Sequence, residues 1–289
     1  YATPDENYFV PEWPVGRLPS GAGNNPAPLI RALKIAASAH TGKTHPAREN
    51  WLVRVRRWLS GRQTRGAGNH TFGYSARVWK DASAAVYAAI DDPQRMLTSP
   101  PVDASALPVE GLAPSRLSYF NLHGIEDGPE WYGQRSSEDS AAVPEYPVAL
   151  RPTDVVNSGR APVIVFSEAC YGANIFGKTP EDALCLRFLD SGSRALVGST
   201  KIAYGSVTTP LIGADLLGHY FWQNVNAGLA IGEALRRAKL HLAQEMHDRQ
   251  GFLDGEDQKT LISFVLYGDP LLVAPGVRPG AKQAMRAPQ

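Results

Sequence analysis

The sequence predicts an α/β fold built on a mostly parallel sheet. Three short runs have the β-branched and aromatic composition of buried strands: "LSYFNL" (117–122), "APVIVF" (161–166) and "ALVGST" (195–200). Helical segments alternate with these runs, which is the arrangement of a parallel sheet. In such folds ligands bind beyond the C-terminal ends of the strands, so functional residues are expected where the runs end.

Three helices are predicted from spacing and capping. "PAPLIRALKIAASAH" (26–40) places Leu29, Leu33 and Ala36 on one face. "TPEDALCLRFL" begins at Thr179 as the cap, with proline in the first turn and acids beside the positive end of the helix dipole. A longer helix is expected over about 229–247, with four apolar residues at helical spacing: Ile231, Leu235, Ala238 and Leu242.

Composition narrows the classes of function. The chain has 289 residues, 43% of them hydrophobic, and its 29 basic and 28 acidic residues nearly cancel. We therefore expect an ordinary buried core, and neither a nucleic-acid nor a membrane partner. The two cysteines, Cys170 and Cys185, are too few for a disulfide framework or a four-ligand zinc site. The compartment stays open, since a bacterial cytoplasmic and a secreted location both fit.

Three other patterns in the sequence do not indicate a function. "TGKT" (41–44) resembles the end of a phosphate-binding loop, but Ala37 stands where that loop needs glycine. The basic stretch 43–65, with its interleaved tryptophans, is interpreted as a solvated face rather than a nucleic-acid site. A serine hydrolase would need a Gly-x-Ser-x-Gly turn, which the sequence lacks.

His123 and Cys170 form the one constellation that indicates chemistry. Each follows a different predicted strand, and the C-terminal ends of adjacent parallel strands meet. A nucleophilic thiolate needs a nearby imidazole, so the pair is a candidate catalytic dyad, although either residue alone is more often structural. Gly124, without a Cβ, allows a sharp turn whose N–H could join that of Cys170 in holding an oxyanion.

These residues resemble a known family. A strand ending in His-Gly and a later strand ending in Glu-Ala-Cys, here "YFNLHG" and "VIVFSEACYGA", resemble the caspase-like cysteine peptidases. Three further segments are most similar to the gingipain type: "PEWPVGRLP" (11–19), "ALVGSTKIAYG" (195–205) and "LYGDPLL" (266–272). The resemblance implies a caspase-hemoglobinase fold with helices on both faces of the sheet. It implies a peptidase domain over 1–275 that lacks its N-terminal strands, and a C-terminal tail over 276–289.

The resemblance also implies an activity and a set of site residues. In a cysteine endopeptidase of this kind Cys170 attacks the peptide carbonyl, His123 transfers protons, and the N–H groups of Gly124 and Cys170 hold the oxyanion. Glu168 would form the pocket for the side chain before the scissile bond and favour Arg or Lys, with a legumain-like preference for Asn as the rival. Substrate contacts are also expected from Trp131 and Tyr132. The alternative is an inactive caspase-like binding or scaffold module.

The sequence leaves several features of the site and its partners open. The group that orients His123 could be Asp81, Glu110 or a backbone carbonyl. No cofactor is required by this chemistry, while the family resemblance allows calcium without indicating a site. The expected partners are a protein or peptide substrate and a regulatory chain or N-terminal fragment that supplies the absent strands. If the protein is made as a zymogen, the Arg-rich stretch 54–65 is a candidate processing site. Cys185 is expected to be a core residue.

Overall fold

A six-stranded sheet and a smaller three-stranded sheet organise the protein. The computed structural model describes residues 9–20, 25–41, 71–112, 115–157 and 161–275. The strands in chain order are β1 (Thr71–Ala76), β2 (Leu97–Ser99), β3 (Leu117–Asn121), β4 (His123–Gly124), β5 (Trp131–Tyr132), β6 (Val148–Leu150), β7 (Ile164–Ser167), β8 (Ala195–Ser199) and β9 (Phe264–Gly268).

The large sheet has the order β2-β1-β3-β7-β8-β9, and the small one β4-β5-β6. All neighbouring pairs of the large sheet are parallel except β8 and β9, which are antiparallel. The segment around Arg17 extends the edge beyond β9, because Arg17 N–H donates to Leu266 O and Gly268 N–H donates to Arg17 O, both at 2.9 Å.

Helices cover both faces of the large sheet. They are α1 (Ala27–Thr41), α2 (Lys80–Tyr87), α3 (Val109–Leu112), α4 (Pro152–Asn157), α5 (Leu184–Asp190), α6 (Gly213–Asn226), α7 (Ile231–Gln250) and α8 (Gly255–Ser263). Tyr119 and Phe166 point to the face covered by α2, α6, α7 and α8. Phe120 and Val165 point to the opposite face, against α3, α4 and α5. This alternation gives two buried cores, as expected for a sheet with no solvated face.

The three predicted strands are confirmed as β3, β7 and β8, and they are neighbours in the sheet. The long predicted helix is confirmed as α7, with all four of its predicted apolar residues buried.

Two details of the other predicted helices are wrong. The helix expected from Thr179 begins only at Leu184, because the Asp182 carboxylate accepts hydrogen bonds from the Thr179 amide and hydroxyl and closes a turn there. The first helix forms as α1, but Leu33 is exposed rather than part of a buried face.

Some expectations concern residues outside the described ranges. These residues are the candidate processing site 54–65, the tail 276–289, the side chain of Glu110 and most of the "TGKT" segment. Within the described ranges, no helix combines the length and apolarity needed to cross a membrane.

Candidate active site

His123 and Cys170 stand at equivalent positions beyond two paired strands. Phe120 of β3 pairs with Ser167 of β7, and each candidate lies three residues further along its own chain segment. The ladder continues one step past the strands, because Glu168 N–H donates to Phe120 O at 2.8 Å. The predicted meeting of the two strand ends is therefore what the structure has.

Gly124 brings the two segments into contact. A Cβ on this residue would lie 2.1 Å from the carbonyl oxygen of Cys170 and 3.3 Å from the Ala169 Cβ. Only a residue without a side chain can lie this close to the Cys170 backbone. The contact holds the His123 segment directly beside the candidate nucleophile.

The chain turns sharply after Cys170. Tyr171 has a φ of 56°, in the left-handed region that is unfavourable for a bulky residue, and its N–H donates to Lys201 O at 2.8 Å. Gly172 N–H donates back to Ala169 O at 2.9 Å. Within the described part of the chain no acceptor bonds the Cys170 N–H, so this amide is available to a developing oxyanion.

The Cys170 sulfur contacts the loop that follows β8. Ala203 N–H donates to Sγ at 3.4 Å, and the thiol lies 3.7 Å from the Ala203 carbonyl oxygen. Both contacts are to one residue, so they restrict the rotation of the thiol and couple it to residues 200–206. The side chain is partly exposed.

His123 is held by an amide and two aromatic rings. Its Nε2 lies 2.8 Å from Gln134 Oε1, its ring centroid is 4.3 Å from that of Trp79, and Tyr146 contacts it edge-on at 5.4 Å. Burial lowers the pKa of His123 below its ordinary value, and the bond from Gln134 opposes that change. The histidine is thus biased toward the neutral form.

The hydrogen bond to His123 comes from Gln134 and not from Asp81, while the side chain of Glu110 lies outside the described residues. Asp81 is exposed in the first turn of α2 and makes no bond to the imidazole, while Gln134 does. The sequence gives no signal for Gln134, because it is a neutral residue in an irregular loop with no motif around it.

Glu168 is 5% exposed, and its Oε1 makes no hydrogen bond of normal geometry among the described residues, although the Tyr119 hydroxyl is near enough to lower the pKa of Glu168. Burial, and next the negative charge of Asp215, raise the pKa of Glu168 well above its usual range. Burial also raises the pKa of Asp215, to about 6. Two buried carboxyls cannot both ionise at low cost, so ionisation of one disfavours ionisation of the other.

Asp215 is the second site residue absent from the sequence analysis. Its carboxylate accepts from Ser206 N–H at 2.5 Å and from Asn121 Nδ2 at 3.3 Å. It therefore ties the loop after β8 to the end of β3. The acid stands in the first turn of α6, where a carboxylate is common for capping reasons alone, so its sequence position gives no functional signal.

The expectation for Trp131 is wrong. Its side chain is 4% exposed and packs between Phe120, at 5.4 Å, and Phe188, at 6.0 Å, so it is a core residue and cannot line a substrate site. Tyr132, opposite His123 in the register of β4 and β5, is half-buried and donates from its hydroxyl to Glu130 Oε2 at 3.0 Å. Its contact with substrate stays a prediction.

Cys185 is buried in α5, as expected for a core residue, and burial raises the pKa of its thiol. Across the described ranges, no group of three or more His, Cys, Asp or Glu side chains is arranged to hold a metal ion.

Comparison with known proteins points to a peptidase family. Residues 136–275, just under half of the chain, match Peptidase family C25, a stretch that includes Glu168 and Cys170 and begins beyond His123. No curated protein matches the chain by sequence.

Two solved structures share the fold. One is the Arg-specific cysteine proteinase gingipain R (RgpB), with a TM-score of 0.56 and 10% identity over 93% of this chain and 57% of that one. The other is the complex of the pro- and mature domains of Porphyromonas gingivalis RgpB, with a TM-score of 0.55 and 12% identity over 93% and 58%. The chain thus spans less than three fifths of these relatives. The caspase-like fold and the resemblance to gingipains are confirmed.

Proposed function

We propose that this gingipain-like chain is a cysteine endopeptidase with Cys170 as nucleophile and His123 as the proton-transfer group. The observation that carries the proposal is the contact of Gly124 with the Cys170 backbone at paired strand ends. The family match over residues 136–275 supports the same chemistry.

In the proposed reaction the Cys170 thiol loses its proton to His123, and the sulfur attacks the peptide carbonyl carbon. The carbonyl oxygen becomes an oxyanion that accepts from the free Cys170 N–H and from Gly124 N–H. The imidazolium then protonates the leaving amine, and the carbon–nitrogen bond breaks. Water, deprotonated by the neutral imidazole, hydrolyses the thioester and regenerates the thiol.

We further propose that the residue before the scissile bond is Arg or Lys. Glu168 and Asp215 support this, because Oε1 of Glu168 lacks a donor and burial keeps the pair from ionising fully. A guanidinium or ammonium would supply both the donors and the opposite charge. The loop after β8 lies over this pair, because its Ala203 bonds Cys170 and its Ser206 bonds Asp215. A substrate side chain that reaches the two carboxyls must therefore displace part of this loop.

The rival preference is Asn, whose carboxamide could bond a protonated Glu168 without requiring it to ionise. Gln resembles protonated glutamic acid, so Glu168→Gln separates the two cases. We expect the variant to lose the preference for Arg and Lys by tenfold or more in kcat/KM, since a charge-assisted bond contributes about 1.5–3 kcal/mol. An Asn preference would survive the same change.

The test is cleavage profiling with matched peptides that end in Arg, Lys, Asn or Asp before the scissile bond. Cys170→Ala is the inactive control, and Glu138→Gln, at an exposed acid, is the matched charge control. Cleavage abolished by Cys170→Ala supports the peptidase. No cleavage by the intact protein, alone or with added partner fragments, would favour the scaffold alternative. An Arg preference untouched in Glu168→Gln would reject the role of Glu168.

A regulatory partner belongs to the same proposal. The chain covers 58% of a structure described as a complex of pro- and mature domains. Among the described residues 9–20, the segment around Arg17 makes a single bridge to β9. We propose that an N-terminal fragment or a separate chain completes this edge of the sheet, as the resemblance implies.

A further inference from the structure

We propose that Gln134 is the positioning residue that holds the His123 ring as its Nε2–H tautomer, which leaves Nδ1 to accept the proton of Cys170. The inference rests on the proposed peptidase function. It assigns a role to a residue that neither the sequence motifs nor the family resemblance indicates.

The hydrogen bond itself sets the tautomer. Gln134 Oε1 lies 2.8 Å from His123 Nε2, and a carbonyl oxygen can only accept. With the amide in this orientation Nε2 carries the proton, and the lone pair of a neutral imidazole is on Nδ1. Within the described ranges, Nδ1 has no hydrogen-bond partner, so it is free to act on a proton.

The backbone of Gln134 is fixed on both sides. Its N–H donates to Ser99 O at 3.0 Å, and its carbonyl accepts from Val78 N–H at 3.2 Å. The preceding Gly133 allows this approach, because a Cβ there would lie 2.4 Å from the Ser99 carbonyl oxygen. The amide is thus presented to His123 from a segment anchored to the end of β2 and to the turn before α2.

The rings around His123 restrict its other motions. Trp79 lies against one side at 4.3 Å and Tyr146 meets it edge-on at 5.4 Å. Neither aromatic ring favours one tautomer of His123 over the other, because a ring contact is not a hydrogen bond to either nitrogen. Besides Cys170, the titratable side chains near His123 among the described residues include Tyr146, which meets it edge-on, and Tyr132, which pairs with it across the small sheet.

The tautomer determines whether the proton can move. The Cys170 thiol proton transfers to the Nδ1 lone pair and leaves a thiolate and an imidazolium with N–H at both nitrogens. The Nε2–H bond to Gln134 persists through the transfer and stabilises the cation. The Nδ1 proton then goes to the leaving amine, which returns the ring to its starting state. The opposite tautomer would direct an N–H at the reacting proton and block the first step.

The test compares Gln134→Leu, which cannot accept a hydrogen bond, with Gln134→Glu, which can only accept. Gln223→Leu is the matched control, because Gln223 also lies 2.8 Å from a histidine nitrogen, that of His219, on the outer part of α6. The readouts are the ¹⁵N shifts of the His123 ring, assigned by their loss in His123→Asn, and the pH profile of kcat/KM. Thermal unfolding verifies that each variant is folded.

We expect the intact protein to show protonated Nε2 and unprotonated Nδ1 in neutral His123. Gln134→Leu should give a mixture of tautomers and lower kcat/KM about tenfold or more, mainly through kcat. Gln134→Glu should keep the tautomer and shift the pH profile to higher pH by about one unit, since a carboxylate raises the pKa of a neighbouring imidazole. Gln223→Leu should change neither readout at His123.

Two results would overturn the proposal: protonated Nδ1 in the intact protein, or an unchanged tautomer in Gln134→Leu. Equal losses of activity in the Leu and Glu variants with no change in pH profile would show a merely structural residue and also reject it. The NMR readout needs no turnover, so an Nε2–H tautomer in a protein without peptidase activity would reject the proposed function while the positioning by Gln134 stands.

Discussion

Replacing Gly124 by Ala perturbs the contact on which the proposed active site depends. The added Cβ would lie 2.1 Å from the Cys170 carbonyl oxygen, whereas close C···O contacts in proteins are about 3.3 Å. The two segments would have to separate by about 1.2 Å. A misplacement of about 1 Å in a catalytic arrangement can cost about 100-fold in rate, and we expect a loss of that size in kcat/KM.

We also expect Gly124→Ala to lower the free energy of unfolding by about 1–3 kcal/mol, as is typical of one extra methyl in a packed contact. Urea unfolding and peptide cleavage measured on the same preparation separate the two effects. Gly255→Ala is the matched control, because a Cβ at the start of α8 has no heavy atom within 4 Å. A kcat/KM within about threefold of the original in Gly124→Ala would refute the close approach of the two strand ends.

Two further predictions concern stability. Trp131→Ala should destabilise the fold by about 3–5 kcal/mol in urea unfolding, because a buried aromatic is removed, while the exposed Tyr146→Ala should cost less than about 1 kcal/mol. Folding raises the pKa of Asp215 from 3.8 to about 6, so the folded state binds more protons over this range and stability should fall as the pH rises from about 4 to 6. In Asp215→Asn the decrease in the free energy of unfolding over this pH range should be smaller by roughly 1–3 kcal/mol. An identical pH dependence in the variant would show that the acid is not buried.

The sequence predicted the centre of the sheet well because its strands are buried on both faces. β3, β7 and β8 are short runs of apolar residues, and in an α/β protein such runs are typical of buried parallel strands. β1 was missed because "TFGYSA" includes Gly73 and Ser75 and lacks that pattern. Its glycine is covered by Tyr87, whose ring would lie 2.6 Å from a Cβ at that position.

The positions of His123 and Cys170 beyond neighbouring strands could be predicted because both residues follow recognisable strands, but their surroundings could not. Gln134 reaches His123 only because Ser99 and Val78, distant in sequence, hold its backbone. Asp215 joins Glu168 through the packing of α6 on the sheet. Trp131 was misassigned for the same reason: an aromatic residue near a catalytic loop can face either substrate or core, and the direction is set by β5 pairing with β4 and β6.

The central claim is that His123 and Cys170 form a working pair, and thiol alkylation tests it most directly. With iodoacetamide near neutral pH, we expect Cys170 to react rapidly and the fully buried Cys185 to react at least 100-fold more slowly while the protein stays folded. His123→Ala should slow Cys170 by about tenfold or more, measured by mass spectrometry of the two cysteine peptides. Equal, slow labelling of both cysteines, or a Cys170 rate that His123→Ala leaves unchanged, would contradict the account.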